Sequence, residues 1–436
     1  MKKKSICREK IFRENCKKID IFSQIRYNEI MKRMDLAIIG GGASGLFLAV
    51  ALQNKNLKTV LFERGERLGK KLSSTGNGQG NFTNVRVCET PYFSSCEKDA
   101  LCAEKQIARY DDKKMRAELQ NLGLLSIADE RGRVYPAGRQ ASSITDVLRF
   151  SVEKSGIETR LSTQIIGLQK TSDGFILTAK TSEGEEKYFA KNVVLCAGGK
   201  AAKNFGTDGS AYALVKGFGH TVTPLFPSLV QLKTDTSHTK TLKGIRVNDG
   251  VVIAEWQGKQ TVVKGDIIFT DYGVSGDAIF RISAFITDKL DANVTLYLDF
   301  LPDFTEEQVY ASLLQKRKAF PELPLTECLG GTLNNQIGRA VLKRANGDFA
   351  CASALVKRFP LQVLGALGFD YAQVTKGGIP LSETDENLQS RFAKGLYFAG
   401  EILDIDGACG GFNLQWAYSS AKTVAEAIGR EYPEKR

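Results

Sequence analysis

Residues 35–63 constrain this chain more than any other stretch. Asp35-Leu36-Ala37-Ile38-Ile39-Gly40 is a short apolar strand, Gly40-Gly41-Gly42-Ala43-Ser44-Gly45 follows at once, and Leu46–Gln53 is apolar and compatible with a helix. After Asn54–Lys58, Thr59-Val60-Leu61-Phe62-Glu63 reads as a second strand ending in an acid. Strand, glycine turn, helix and strand in that order make a βαβ unit. The Gly40-x-Gly42-x-x-Gly45 spacing is weak alone and gains force from this setting. A helix N-terminus offers free N–H groups and the positive end of a dipole to a pyrophosphate. Gly40 permits the tight turn, Gly42 lets backbone approach the phosphates, and Gly45 lets helix pack on strand. Glu63, 23 residues after Gly40, is placed to accept both hydroxyls of an adenosine ribose. An acid there disfavours a 2′-phosphate, which points to FAD or NAD and away from NADP.

The C-terminal region favours FAD. Leu396-Tyr397-Phe398-Ala399-Gly400-Glu401 is a strand ending in Gly-acid, and Asp404–Asn413 is a glycine-rich run before a helix over Leu414–Arg430. A flavin dinucleotide needs a second contact region for its ribityl chain and ring. Glu401 suits a ribityl hydroxyl, and the Gly410-Gly411 backbone at a helix N-terminus suits the electron-rich edge of the ring. The expected cofactor contacts are therefore Gly40, Gly42, Ala43, Ser44, Gly45, Glu63, Arg64, Lys71, Gly76, Asn77, Gly400, Glu401, Gly410, Gly411, Phe412 and Asn413. Cys196-Ala197-Gly198-Gly199 ends a strand without the full glycine pattern. No second nucleotide domain is inferred, and NAD(P)H is expected only as a transient electron donor beside the flavin.

The expected fold is α/β: a Rossmann-like FAD-binding domain of the glutathione-reductase type over residues 34–204 and 371–436. A β-rich, barrel-like insert (205–302) and a helical insert (303–370) interrupt it. Residues 64–84 read as loop, with the glycine-rich piece Ser73–Asn81. Short strands from Ile157 to Gly199, broken at Ser172-Asp173-Gly174 and Ser182-Glu183-Gly184, read as a β-meander. The last clear strand of the insert is Val294–Leu298, and Thr305–Leu364 is helical in composition.

The formal charge of +11 over 436 residues suggests nucleic acid at first sight. Residues 1–33 hold 11 Lys/Arg and 4 Asp/Glu, so +7 lies there and +4 is spread over the remainder. That basic extension lacks the apolar run and small-residue cleavage site of a secretory signal. It reads as a disordered tail, as a segment for an acidic surface, or as sequence upstream of a start at Met31 or Met34. The flat charge of the remainder predicts no nucleic-acid partner. No 18-residue apolar run predicts a membrane helix. Nine scattered cysteines without a Cys-x-x-Cys pair suit a reducing cytoplasm. Two histidines, His220 and His238, leave too few for a histidine-rich metal site and make a Ser-His-Asp hydrolase a poor reading. No metal is expected, and oligomeric state is not readable.

From Met34 to about Glu426 the chain resembles the bacterial flavoproteins of the YhiN/BaiN type, within the glutathione-reductase-like group. The resemblance rests on Lys70-Lys71-Leu72 with Thr75-Gly76-Asn77-Gly78 and Asn81-Phe82-Thr83-Asn84, on Gly132-Arg133-Val134-Tyr135-Pro136, and on Phe205–Gly209 continuing to Gly219-His220. It continues through Pro227-Ser228-Leu229-Val230, Phe269-Thr270 with Gly273–Gly276, Thr375-Lys376-Gly377-Gly378, Gly400-Glu401 and Gly407–Trp416. The chain departs from the family pattern at Gln79-Gly80, where a basic residue and Cys are frequent. It departs again at Asp271, where His is frequent, and at Gly276-Asp277 in place of Gly-Pro. The resemblance implies an FAD domain interrupted by a barrel-like and helical insert. For some members it implies reduction of a C=C bond conjugated to a ketone in 3-oxo bile acids.

That chemistry needs a hydride from the flavin and a proton from an acid or water. Tyr135 is the candidate donor, with aromatic packing as its other reading. Arg133 and Arg139 are candidates for polarising a carbonyl, or are solvated. Cys409 is a candidate redox thiol without a partner nearby in sequence. His220 is expected to cap or pack. A small hydrophobic substrate is expected between the FAD domain and the insert, under the loops Phe205–Ser210 and Asp271–Asp277, because open α/β folds bind at the carboxyl ends of their strands. An FAD-dependent tRNA-modifying protein and a flavin redox sensor or electron-transfer protein are the alternatives.

Overall fold

The computed structural model describes residues 31–435. The first strand, β1 (Lys32–Ile39), begins before the apolar run, so Lys32 and Arg33 of the expected extension belong to the sheet, paired with Tyr188 and Phe189. Residues 1–30 lie outside the described residues. Helix α1 (Ala43–Leu52) leaves the glycine turn and β2 (Thr59–Phe62) follows, parallel to β1 with Leu36 opposite Thr59. Strands β3 (Thr83–Asn84), β4 (Ser126–Ala128) and β5 (Arg133–Pro136) make a small sheet ordered β3-β5-β4. Around it lie α2 (Glu97–Arg109), α3 (Asp112–Asn121) and α4 (Ala141–Ser155).

Strand β6 (Glu158–Arg160) pairs parallel with β2, and β7 (Gln164–Lys170), β8 (Phe175–Thr181) and β9 (Gly184–Leu195) form the antiparallel meander. Strand β9 has 12 residues and serves two sheets' worth of pairing. Its first half pairs with β8, and its buried second half enters the parallel layer beside β1. The main order is β6-β2-β1-β9-β8-β7. Fully buried Leu36, Ala37, Ile38, Val193, Val194 and Leu195 fill the centre, as expected for parallel strands covered on both faces.

The short helix α5 (Ala213–Lys216) still packs on this first core through Leu214 and Val215. The chain then crosses at β10 (Phe226–Ser228) into a closed barrel. Its strands are β11 (Leu232–Thr234), β12 (Arg246–Trp256), β13 (Lys259–Phe269), β14 (Gly273–Ser275), β15 (Thr295–Asp299) and β16 (Phe359–Ala366). Helix α6 (Asp277–Ile286) packs against β13. Helices α7 (Glu306–Ala319), α8 (Asn335–Arg344) and α9 (Phe349–Lys357) intervene between β15 and β16.

One expectation is corrected here. Phe359–Ala366 is a strand, where the composition of Thr305–Leu364 predicts helix. Its alternation (Phe359 and Leu361 buried, Gln362 and Leu364 exposed) is a half-buried strand's, and it closes the barrel against both β11 and β15. The helices and the barrel share one core, with Val309, Leu313, Val341 and Val356 in the same cluster as Leu296, Leu298 and Phe359. The insert is thus one packed body. The chain returns through β17 (Val374–Lys376), antiparallel to β10, then β18 (Leu396–Phe398), parallel to β9, and ends in α10 (Phe412–Gly429).

Candidate cofactor and active site

Three strand ends converge above the parallel sheet: β1 into the glycine turn, β9 into Cys196–Gly199, and β18 into Gly400-Glu401. Gly40 has φ +110°, and a Cβ there would lie 2.5 Å from the Cys196 carbonyl oxygen. A Cβ on Gly45 would lie 1.9 Å from the Gly40 carbonyl oxygen, so helix and turn touch through backbone. A Cβ on Gly42 would meet nothing within 4 Å, and it faces open cavity. Glu63 is already organised: one carboxylate oxygen accepts the Gly41 N–H at 2.8 Å and the other the Gly65 N–H at 2.7 Å. The turn and the ribose acid are therefore one hydrogen-bonded unit.

A cavity of about 430 Å³ runs along these ends. Gly40, Gly42, Ala43, Ser44, Glu63, Arg64, Lys71, Gly76, Asn77, Glu401, Gly410, Gly411 and Asn413 line it. A long groove floored by a dinucleotide turn, with an acid near each end and a glycine-rich helix N-terminus beyond, fits FAD. Glu63 would hold the adenosine ribose, the Gly41–Ser44 turn the pyrophosphate, and the α10 N-terminus the ring.

Gly45, Gly400, Phe412 and Tyr135 are not among the lining residues. Gly45 and Gly400 act one layer below. The Gly400 N–H donates to Ser420 Oγ at 2.9 Å and its carbonyl accepts from Trp416 Nε1 at 3.2 Å, which locks β18 onto α10. Phe412 packs edge-on against Tyr92, whose hydroxyl donates to the Phe412 carbonyl at 3.1 Å. Tyr135 is 5% exposed and paired in the small sheet with Ile127, its ring flanked by Arg139 at 4.6 Å and Arg133 at 5.9 Å. Burial pushes its phenol above the ordinary value. The packing reading of Tyr135 is the one its surroundings match.

Asn413 orders the loop beneath the ring site. Its Oδ1 accepts from the Gly407 N–H and its Nδ2 donates to the Gly407 carbonyl, both at 2.8 Å. Gly411 (φ +101°) is fixed by crowding, because a Cβ would lie 2.3 Å from the Thr83 carbonyl oxygen. Cys409 lines the cavity, and burial pushes its thiol up to about 11, so it stays protonated and unreactive near neutrality. Lys71 Nζ lies 2.8 Å from Glu401. His220 packs, as expected: Nδ1 meets Glu383 at 2.8 Å and Nε2 meets Ser390 Oγ at 2.7 Å, away from the cavity.

Several lining residues carry no signature that sequence reasoning used. Thr163-Gln164-Ile165 lie at the start of the meander, and exposed Arg67 stands beside the groove. Cys196–Gly199 line it too, and only their glycines hinted at this. Of the two expected cover loops, Phe205–Ser210 lines the cavity, pinned by an Arg64–Asp208 ion pair at 2.9 Å. Burial favours the neutral form of Asp208, yet hydrogen bonds from Ser210 and the Arg64 guanidinium hold its carboxyl down to about 2. Asp271–Asp277 does not line it: Gly273–Ser275 is barrel strand β14 and Asp277 begins α6. The returning segment Asp370–Val374 takes its place.

No helix among the described residues is long and apolar enough to cross a membrane. The HI0933-like protein Rossmann domain family matches residues 34–427. The 3-dehydro-bile acid delta(4,6)-reductase of Clostridium scindens is 31% identical over 411 residues, covering 90% of this chain and 98% of that protein. The ribosomal RNA dihydrouridine synthase of Escherichia coli strain K12 is 29% identical over 408 residues, covering 91% and 98%. Among solved structures, the open conformation of a flavocytochrome c3 fumarate reductase superposes with a TM-score of 0.50 at 15% identity, covering 94% of this chain and 80% of that one. At that identity it speaks for the fold alone. The glycine turn, the paired acids and a match spanning nearly the whole described chain lead to one assignment: this protein belongs to the HI0933-like Rossmann family of FAD-dependent oxidoreductases.

Proposed function

We propose that the protein reduces a C=C bond conjugated to a ketone, taking electrons from NAD(P)H, with a 3-oxo bile acid or similar flat apolar enone as substrate. The observation that carries this reading is the chemical split of the cavity. One part is lined by backbone N–H groups and a carboxylate, at Gly41–Ser44 and Glu63. Another is apolar, at Leu229, Val374 and Cys409. When bound and reduced, FAD supplies a hydride to the carbon β to the ketone, and a proton joins the α carbon. The protein's own part is placement and exclusion of water. The α10 N-terminus directs Gly410 and Gly411 at the ring site, and the crossing segments 205–210 and 370–374 cover the groove. Tyr371 is a lining tyrosine and becomes the candidate to give a proton. The likeness to a bile acid reductase over nearly the full length of both proteins supports the substrate class. Free thiols at all seven described cysteines suit a cytoplasmic protein.

A second reading follows from the E. coli relative's name: the reducible bond would belong to a uridine in ribosomal RNA. Unpaired, exposed Arg67 and Lys70 beside the groove favour it. One experiment separates the two. Holoenzyme is reduced anaerobically with NADH or NADPH, then mixed with 3-oxo-4-ene and 4,6-diene steroids or with a ribosomal RNA fragment. Flavin reoxidation by the steroids well above the buffer rate is expected. Reoxidation by neither steroid sinks the enone reading, and reoxidation by the RNA alone replaces it with the second.

A further inference from the structure

Of the Pro227-Ser228-Leu229-Val230 run, only the apolar character of Leu229 has been used so far. The run joins β10 to β11, at the point where the chain passes from the cofactor domain into the barrel. Leu229 there has φ +52°, in the left-handed region. A leucine meets a steric penalty in that region, which among non-glycine residues favours Asn and Asp. Leu229 is not an exposed turn residue. It is 2% exposed and lines the cavity.

Its conformation is imposed from both sides. The Gln373 N–H donates to the Leu229 carbonyl at 3.2 Å, tying it to the returning segment. The next residue, Val230, donates its N–H to Ser283 Oγ at 2.9 Å, tying it to α6 of the insert. The side chain joins a small apolar cluster with Ala284 and Val374, against Phe280 and Cys409, separate from both main cores. Cys409 immediately precedes Gly410-Gly411, so this cluster stands at the flavin-ring end. A strained residue held by neighbours on two domains and turned into a cavity is the pattern of a ligand-contacting position.

We infer that Leu229 is a specificity-determining residue: its enforced left-handed backbone sets the side chain as the wall that limits the width of a flat apolar substrate at the ring end of the cavity. This rests on the enone reading above, and its test is built to fail separately. Oxidised holoenzyme is titrated with cyclohex-2-enone and with a 3-oxo-4-ene steroid, following the perturbation of the flavin spectrum. FAD content is checked in every variant. Leu229→Phe should weaken the steroid relative to cyclohexenone by about tenfold, and Leu229→Ala should shift the ratio the other way, as pocket changes of one or a few carbons do. Leu229→Gly, which accepts the positive φ freely, should match Leu229→Ala, because the side chain and not the strain is responsible. Should the Phe variant misfold, the Ala and Gly pair still decides. A Kd ratio within twofold of wild type in the folded variants overturns the inference. So does a shift in Ala without one in Gly, or a wild-type flavin that senses neither probe. If the probes bind with shifted ratios but never reoxidise the reduced flavin, the enone reading falls and the role of Leu229 stands.

Discussion

Asp406 is 1% exposed in the loop under the ring site. Burial pushes its carboxyl up to about 7, against the opposing pull of Lys376 and the Ser228 hydroxyl. One oxygen meets Ser228 Oγ at 3.2 Å, and the other has no hydrogen-bond partner. A proton on that oxygen is the cheaper solution to an unpaired buried charge. The sign of the pH effect follows. Below its ordinary value of 3.8 the group is protonated in folded and unfolded chains alike. As pH rises from there to about 7, the unfolded chain loses the proton and the folded one keeps it, so stability falls. Above about 7 the folded protein carries the buried charge and the full cost, on the order of 4 kcal/mol at most. Asp406→Asn should therefore raise Tm by a few degrees near pH 8 and leave it unchanged near pH 4. A gain of equal size at both pH values, by scanning calorimetry, would show that packing and not ionisation is responsible.

Between turn and helix, the glycines of the first motif separate into two kinds. Gly45→Ala places a methyl 1.9 Å from the Gly40 carbonyl oxygen, so α1 must lift from the turn. The expected cost is about 1–3 kcal/mol of stability together with loss of flavin. Gly42→Ala meets no protein atom. It should leave Tm of the cofactor-free protein unchanged and lower flavin content, because the methyl occupies ligand space. Flavin-to-protein absorbance ratios and melting curves of stripped protein distinguish the two, and equal destabilisation by both would refute the assignment. This first unit was readable because its constraints are local: 29 residues hold the strand, turn, helix, strand and Glu63. The barrel's last strand was not readable. Phe359–Ala366 follows three helices, and its partners Leu232–Thr234 and Thr295–Asp299 lie far away in sequence. Its alternation carries meaning only once the barrel exists. The site divided in the same way. Residues in glycine-bearing motifs line the cavity, Thr163–Ile165 and Asp370–Val374 line it without such a motif, and Gly400 and Phe412 lie behind it.

At the returning crossing, Val374–Lys376 passes Gly199–Ala201 of the cofactor domain, and Glu401 ties into this junction. One carboxylate oxygen accepts the Thr375 N–H at 2.9 Å, and the other receives Lys71 Nζ at 2.8 Å. Thr375 Oγ1 in turn accepts the N–H groups of Lys200 and Ala201 at 2.7 and 2.9 Å. Thr375 thus holds the Gly199–Ala201 segment through its hydroxyl and Glu401 through its N–H, and Glu401, which also faces the groove, binds the cavity-lining lysine. Cofactor retention and anchoring of the insert should be coupled there. Glu401→Ala removes both ties, with charge-assisted hydrogen bonds worth about 1.5–3 kcal/mol each in the balance. It should weaken FAD retention by tenfold or more and speed proteolytic cutting at the crossings even when FAD is saturating, because local opening sets the cutting rate. Lys71→Ala should weaken retention alike, yet speed cutting less than Glu401→Ala once FAD is saturating, since it loses only the 3.3 Å hydrogen bond to the Ala201 carbonyl and the Thr375 contact survives. Indistinguishable proteolysis of the two variants under saturating FAD would separate cofactor binding from the domain junction and return Glu401 to a purely ligand-facing role.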